Sequence, residues 1–329
     1  MTLNPKHITE YTQNFLEGIF NEEVTIDIQK GSYLINKTLK IPIYNFWEKE
    51  DNQLLKDFKG FSFKQDYIGT IFFFLSGYWE YIHNDIKDKY DRFSALESFQ
   101  CKKEVLEEPV VDILVDRIRE ELNLTYKDSK PKIFLTHDID LLALLRGKLF
   151  IRTILGDLLR SRNIGLALER IKKKLKGDDP FAVDNLIEKH KKYNTTGTFF
   201  FLTKKQDNQF SGGYNAIRNK KELKEIEKAI NDIGGSIGLH YDSRYPTEER
   251  LKKDKKVLEK IFKEEIGIGR AHYLLFNIRK TFDILEKAGI KVDSTGGYAD
   301  RIGFRFGTGR PFKPYDFKTN REYNIWEIP

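Results

Sequence analysis

The stretch Lys132-Ile-Phe-Leu-Thr-His-Asp-Ile-Asp140 runs a short apolar segment directly into a histidine and two aspartates. Apolar, β-branched and aromatic residues behind Pro131 predict a buried strand over 132–136 with a polar rim after it. Three runs of the same make follow: GTFFFLT (197–203), GSIGLH (235–240) and GRAHYL (269–274). Between them lie charged stretches with helical spacing: 181–193, 219–235 with two glycines at its end, 247–267 behind Thr247 as N-cap, and 277–289 behind Asn277. Strand alternating with helix predicts an α/β fold with a parallel sheet, and the repeat is compatible with a barrel or an open doubly wound sheet. No glycine-rich phosphate fingerprint follows any of the strands, and we favour the barrel.

Upstream the pattern changes. Short irregular strands (EVTIDI, GSYLIN, IPIYNF), the aromatic segment DYIGTIFFFLSGYWEYI (66–82) and a helix over 109–122 opened by Pro109 predict a smaller α+β domain over 1–128. The polar YKDSKP at 126–131 separates it from a second domain over 129–329. A run such as Phe72, Phe73, Phe74, Tyr78 and Trp79 suggests a sugar-stacking platform, but contiguous aromatic residues belong more often to a core, and packing is the expectation.

The chain has 329 residues, enough for two domains, with 57 Lys or Arg, 50 Asp or Glu and 40% apolar residues. That is a globular composition, and it excludes wholesale disorder. Cys101 is the single cysteine, which excludes an internal disulfide and a zinc ribbon and suggests a reducing, cytoplasmic compartment. Neither a signal peptide nor a membrane span is expected, because the most apolar run, Ile71 to Leu75, is short.

The net charge of +7 is local. Residues 141–177 carry ten Lys or Arg against Asp157 and Glu169, an excess of +8, so the rest of the chain sums to −1. Leu141, Leu144, Leu145, Leu149, Leu155, Leu158 and Leu159 recur there at helical spacing, predicting a basic amphipathic helical insertion. It would either rest peripherally on an anionic membrane surface, at the inner face, or pack its leucines on the body of the protein. General experience favours the second. Charge confined to one segment does not describe a nucleic-acid-binding domain, and no nucleic-acid partner is expected.

Of six histidines, His137, His240 and His272 lie at or near the C-terminal ends of predicted strands, whereas His7, His83 and His190 have no catalytic-looking neighbours. In a parallel β/α architecture those ends converge on one face. Asp138 and Asp140, two apart in an extended chain, point to one side, and His137 and Ile139 to the other. Converging carboxylates and imidazoles suggest a divalent metal, with Asp140 as ligand and Asp138 as the base that takes a proton from water.

In this order, THDID (136–140), GTFFFL (197–202), IGLHY (237–241), GRAHYL (269–274) and DSTGGYADRIGFRFGTGRPF (293–312) resemble the motifs of the bacterial polysaccharide deacetylase family, over about residues 130–329. The segments SALESFQ (94–100) and EEPVVD (107–112) are similar to the uncharacterised domain that precedes the catalytic domain in one branch of that family. The resemblance implies a distorted β/α barrel that removes acetyl groups from N-acetylated sugars with zinc or a similar divalent metal. It implies Asp138 as catalytic base, Asp140 and His240 as metal ligands, Arg270 orienting Asp138, and Asp293 as the acidic member of the fourth motif. Where the second motif usually has another histidine this sequence has Arg244, so His272 is the preferred third ligand, with Asp242 and His137 behind it. Tyr241, Tyr273, Arg301, Arg305 and Arg310 are candidate substrate contacts. The chain stops at YNIWEIP, which reads as a strand in progress, so truncation is an expectation and no general acid is assigned. The expected function is therefore a metal-dependent deacetylase of bacterial surface-glycan metabolism acting on an N-acetylated glycan or lipid-linked sugar. The alternative is a catalytically degenerate glycan-binding or membrane-surface protein of the same fold.

Overall fold

Phe199, Phe200 and Phe201 are all buried, as a strand with neighbours on both sides and packing on both faces must be. A computed structural model describes residues 3–128, 130, 132–145, 147–179, 182–204, 214–242 and 247–329. In chain order the elements are α1 (Pro5–Ile19), β1 (Ile26–Gln29), β2 (Ser32–Ile35), β3 (Leu39–Pro42), α2 (Asp51–Asp57), β4 (Phe58–Lys59), β5 (Ser62–Phe63), α3 (Tyr67–Leu75), α4 (Tyr78–Ile82), α5 (Phe99–Lys102) and α6 (Val110–Leu122). They continue with β6 (Thr136–Ile139), α7 (Gly147–Leu159), α8 (Ile164–Leu175), α9 (Val183–Tyr193), β7 (Thr198–Phe201), α10 (Lys220–Asp232), β8 (Ser236–Tyr241), α11 (Glu248–Phe262) and β9 (Ile268–Ala271). The last are α12 (Thr281–Lys287), β10 (Val292–Asp293), β11 (Tyr315–Asp316), β12 (Arg321–Glu322) and β13 (Trp326–Glu327).

The chain divides into two compact units. One is Ile133–Tyr241 with Lys252–Ile266; the other is Met1–Lys132 with Asp242–Leu251 and Gly267–Pro329. In the first, β7 pairs in parallel with β6 on one side and β8 on the other. Helix α9 buries Val183, Ile187 and His190, and α10 buries Leu223, Ile226 and Ile230, each set at single-face spacing. α9 stops where Asn194 turns left-handed (φ 49°). Strand β6 begins at Thr136, four residues later than its apolar run predicts: Ile133, Phe134 and Leu135 are exposed, and the pairing with β7 starts only where the Leu135 carbonyl accepts from the Thr198 amide at 2.9 Å. The shift moves His137 and Asp138 into the strand. The segment 141–177 holds α7 and α8; of its leucines, Leu145 is buried, whereas Leu155, Leu158 and Leu159 on α7 are exposed.

In the second unit, β1, β2 and β3 form an antiparallel meander, and the aromatic segment is core as expected. Phe72, Phe73, Phe74, Tyr78 and Trp79 are all 5% exposed or less. Strands β9, β10 and β13 run parallel. Residues 267–329 cluster with the N-terminal segment, across the boundary the composition suggested near 128. The reasons are specific: Phe72 packs edge-on against Tyr315, Tyr11 Oη donates to the Lys313 carbonyl at 2.7 Å, and the backbones of Val111 and Gly307 and of Phe304 and Leu106 hydrogen-bond at 2.8 Å. Gly303 and Gly307 allow that approach. A Cβ on Gly303 would meet the Leu106 carbonyl oxygen at 2.5 Å, and Gly307 has φ 68°.

Arg305 closes this packing. It reaches Glu80 with two charge-assisted bonds (Nε to Oε2 3.0 Å, Nη2 to Oε1 2.6 Å) and gives Nη1 to the Gly297 carbonyl at 2.9 Å. Both side chains of the pair are nearly inaccessible, at 3% and 6% exposure. Removing one partner leaves a buried charge unpaired. Arg305→Met is therefore expected to lower stability by about 3–5 kcal/mol, and Arg305→Met with Glu80→Leu by much less. Urea unfolding midpoints of the two variants measure the difference.

Candidate functional site

Register decides which side chains meet. Ile139, Phe201 and Leu239 are aligned across β6, β7 and β8, so the next step along each strand brings Asp140, Leu202 and His240 to one level at the C-terminal ends. The outer two are separated by two strand spacings, roughly 10 Å between backbones, and their side chains reach towards each other across β7. His240 Nε2 stands 3.4 Å from Asp140 Oδ1 and 3.9 Å from Asp138 Oδ2. The imidazole is 1% exposed, while the Asp138 and Asp140 side chains keep 36% and 48%, so the acids face solvent over a buried base.

His137 goes the other way, as its position in the strand requires. Its Nε2 lies 2.7 Å from His190 Nε2, and His190 Nδ1 is 2.9 Å from Thr195 Oγ1. His137, a reserve ligand on sequence grounds, therefore binds an imidazole on α9 and does not join the cluster; His190 is its structural partner. Tyr241 also points away from His240 along the strand and is 2% exposed, which does not suit a substrate contact.

The spacing within the cluster suits a cation. Two donors each about 2.1 Å from a tetrahedral ion stand about 3.4 Å apart, the separation of the Asp140 and His240 atoms, whereas Asp138 is set slightly wider. As donor chemistry, Asp140 and His240 are a carboxylate and an imidazole that could hold a metal ion; which metal is a separate matter.

Tyr214 fixes the level of these residues, and nothing in the sequence singled it out. Its hydroxyl accepts from the Leu202 amide at 2.9 Å and donates to the Ile139 carbonyl at 3.0 Å, tying the exits of β6 and β7. Burial pushes the phenol far above its ordinary range, so it stays a neutral donor and acceptor.

The second unit holds the remaining candidates. His272 follows β9 and is 2% exposed, with Tyr273 edge-on to it at 4.5 Å. Tyr273 (φ 61°) and Leu274 (φ 50°) are both left-handed, which costs of order 1 kcal/mol each for non-glycine residues and turns Tyr273 outward to 42% exposure. Arg270 donates Nε to the Ser294 carbonyl at 2.9 Å and Nη2 to Ser294 Oγ at 2.7 Å. Asp242 accepts from Arg250 at 2.7 Å. Of the loop arginines, Arg301 is exposed, Arg310 lies 3.3 Å from Asp112 and over the Tyr126 ring, and Arg305 is buried and paired with Glu80, which does not suit a substrate contact. Arg244 lies outside the described residues.

Asp293 on β10 is level with Glu327 on β13, and both are fully buried. Desolvation first, and the Asp293 charge second, hold the Glu327 carboxyl well above the usual range, while the Gly296 amide donates to its Oε1 at 2.6 Å. Glu327 escaped the sequence reading because its partner is a ladder neighbour far away in the chain.

The profile of a family of unknown function, DUF7033, matches residues 3–127, less than half of the chain. No curated protein matches it. Among solved structures it is similar to a provisionally assigned polysaccharide deacetylase from Mycobacterium smegmatis, at 18% identity and a TM-score of 0.36 over 61% of this chain. The chain spans 61% of the length of that protein.

Two outcomes follow from the geometry. Tyr214→Phe strands a buried amide and a buried carbonyl together, so it is expected to lower stability by about 1–3 kcal/mol and to weaken divalent-metal binding, read by denaturant unfolding and by calorimetry. Glu327 binds its proton more tightly folded than unfolded. Its contribution is then complete below the unfolded value of about 4.5 and is lost as pH rises through the higher folded one. Glu327→Gln, which keeps the neutral form at every pH, is expected to flatten the alkaline decline of the unfolding midpoint.

Proposed function

We propose that this chain is a metal-dependent hydrolase that removes N-acetyl groups from an amino-sugar-containing glycan or lipid-linked sugar, in a barrel of the polysaccharide deacetylase type. One observation carries the reading: Asp138 on β6, Asp140 directly after it and a buried His240 on β8 converge at the C-terminal ends of parallel strands. The five sequence motifs that resemble the family supply the reaction.

In this reading Asp140 and His240 hold the ion with His272 as third ligand, and zinc suits a carboxylate with two imidazoles. Such an ion, when bound, acidifies water and polarises an acyl oxygen. Asp138 has the other role. Its Oδ2, slightly farther from His240 and partly open to solvent, accepts the proton of the attacking water, and Arg270 orients that carboxylate. Acetate leaves, and the sugar nitrogen departs as the amine after taking one proton. Tyr273, Arg301 and Arg310 border the substrate, and Asp293 supports the site from β10. The single cysteine suits a cytoplasmic location, and no helix among the described residues is long and apolar enough to cross a membrane.

Asp138→Asn is expected to lower kcat for deacetylation of an N-acetylglucosamine oligomer by about 10²–10⁴-fold while divalent-metal affinity stays within a few-fold. Asp140→Asn and His240→Asn should each lose the metal in a calorimetric titration, and a chelator should silence the wild type. Absence of bound metal together with an unchanged rate for Asp138→Asn would sink the hydrolase, and glycan binding indifferent to the chelator would favour the binding-only alternative.

A further inference from the structure

A packed amphipathic helix turns its apolar stripe inward and leaves its charges in water. Helices α7 and α8 do not. On α7, Ile151, Leu155, Leu158 and Leu159 stand at the i, i+4, i+7, i+8 spacing of one face, and on α8, Ile164, Leu168, Ile171 and Leu175 stand at i, i+4, i+7, i+11. All eight are exposed, from 37% for Ile171 to 83% for Leu175. What the two helices bury is small or charged: Ala167, and Asp157 at 2.7 Å from Arg170. Glu169 is held by Lys173 at 2.9 Å. Both acids of the segment are thus paired within it. Arg152, Arg160, Arg162, Lys172 and Lys176 are exposed and form no ion pair among the described residues.

We propose that the α7–α8 hairpin is a docking surface for an anionic lipid bilayer, with its leucine and isoleucine stripes entering the headgroup boundary and its arginines and lysines meeting lipid phosphates. Exposed apolar side chains concentrated in this way are more than a freely soluble surface normally leaves uncovered. At 13 and 12 residues the helices are about 20 Å long, too short to span a bilayer and suited to lying in its plane. Charge selects the occupant. Two copies of this chain meeting through the hairpin would oppose two excesses of +8. A nucleic acid would neutralise the cations and leave the stripes in water. An anionic membrane satisfies both features, with the apolar faces and the basic flanks working together.

The test uses the full chain in co-sedimentation with vesicles of phosphatidylcholine alone and of phosphatidylcholine with phosphatidylglycerol. Partitioning is expected to be roughly tenfold or more stronger on the anionic vesicles and to fall as salt is raised to about 0.5 M. The variant carrying Leu155→Ser, Leu159→Ser, Leu168→Ser and Leu175→Ser is expected to lose roughly tenfold or more of that partitioning. Its thermal unfolding should be unchanged, because the four positions are already exposed. The proposal is overturned if the wild type stays in the supernatant with anionic vesicles, or if the serine variant partitions equally well. It is overturned also if light scattering shows an oligomer that the same variant returns to monomer, which would give the stripes to a second copy.

Discussion

Alignment of three parallel strands is the constraint on which the chemistry depends. A carboxylate at the end of β6 and an imidazole at the end of β8 can share a cation only if neither strand slips, since a one-residue shift turns a side chain to the opposite face. The phenylalanines of β7 hold the register through burial, and Tyr214 holds it at the rim, where burial ends and slippage would be cheapest. The imidazole pair of His137 and His190 anchors the reverse face of β6 to α9. A polar contact on each side of β6 therefore fixes the direction in which Asp138 and Asp140 point.

The second unit solves a different problem. Its C-terminal residues carry short strands of two residues each, too short to be stable by pairing alone. They are held by aromatic packing on the N-terminal helices and by the Arg305–Glu80 pair, whose members are 225 positions apart in the chain. A glycine-rich segment with three arginines resembles a substrate loop in sequence, and one of those arginines is the pin that fastens it. The glycines serve close approach to the protein's own backbone.

What was legible in the sequence was whatever local spacing determines. The alternation in THDID assigns Asp138 and Asp140 to one side and His137 to the other, and that is how they lie. The aromatic segment 66–82 is core, and Thr247 caps α11. What was not legible depends on partners remote in the chain. Ile133 and Phe134 have a strand's composition but lie exposed ahead of the first pairing with β7, so β6 starts late. Asn277 is polar enough to cap a helix, yet α12 starts at Thr281, because Asn277 accepts from the Lys280 and Thr281 amides to close a turn first. Tyr214, Glu80 and Glu327 act through single long-range contacts, which composition does not announce.

Charge follows the same logic of locality. A pI of about 9.0 suggests a basic protein, but the excess resides in one hairpin, and the candidate site is built from carboxylates and imidazoles with no such field of its own. At physiological ionic strength charges separated by more than about 8 Å along exposed surface are largely screened. The hairpin's cations therefore act chiefly on whatever touches the hairpin. The whole-chain charge is in this sense a property of a docking element, and the chemistry of the site rests on distances of a few ångströms, set by strand register.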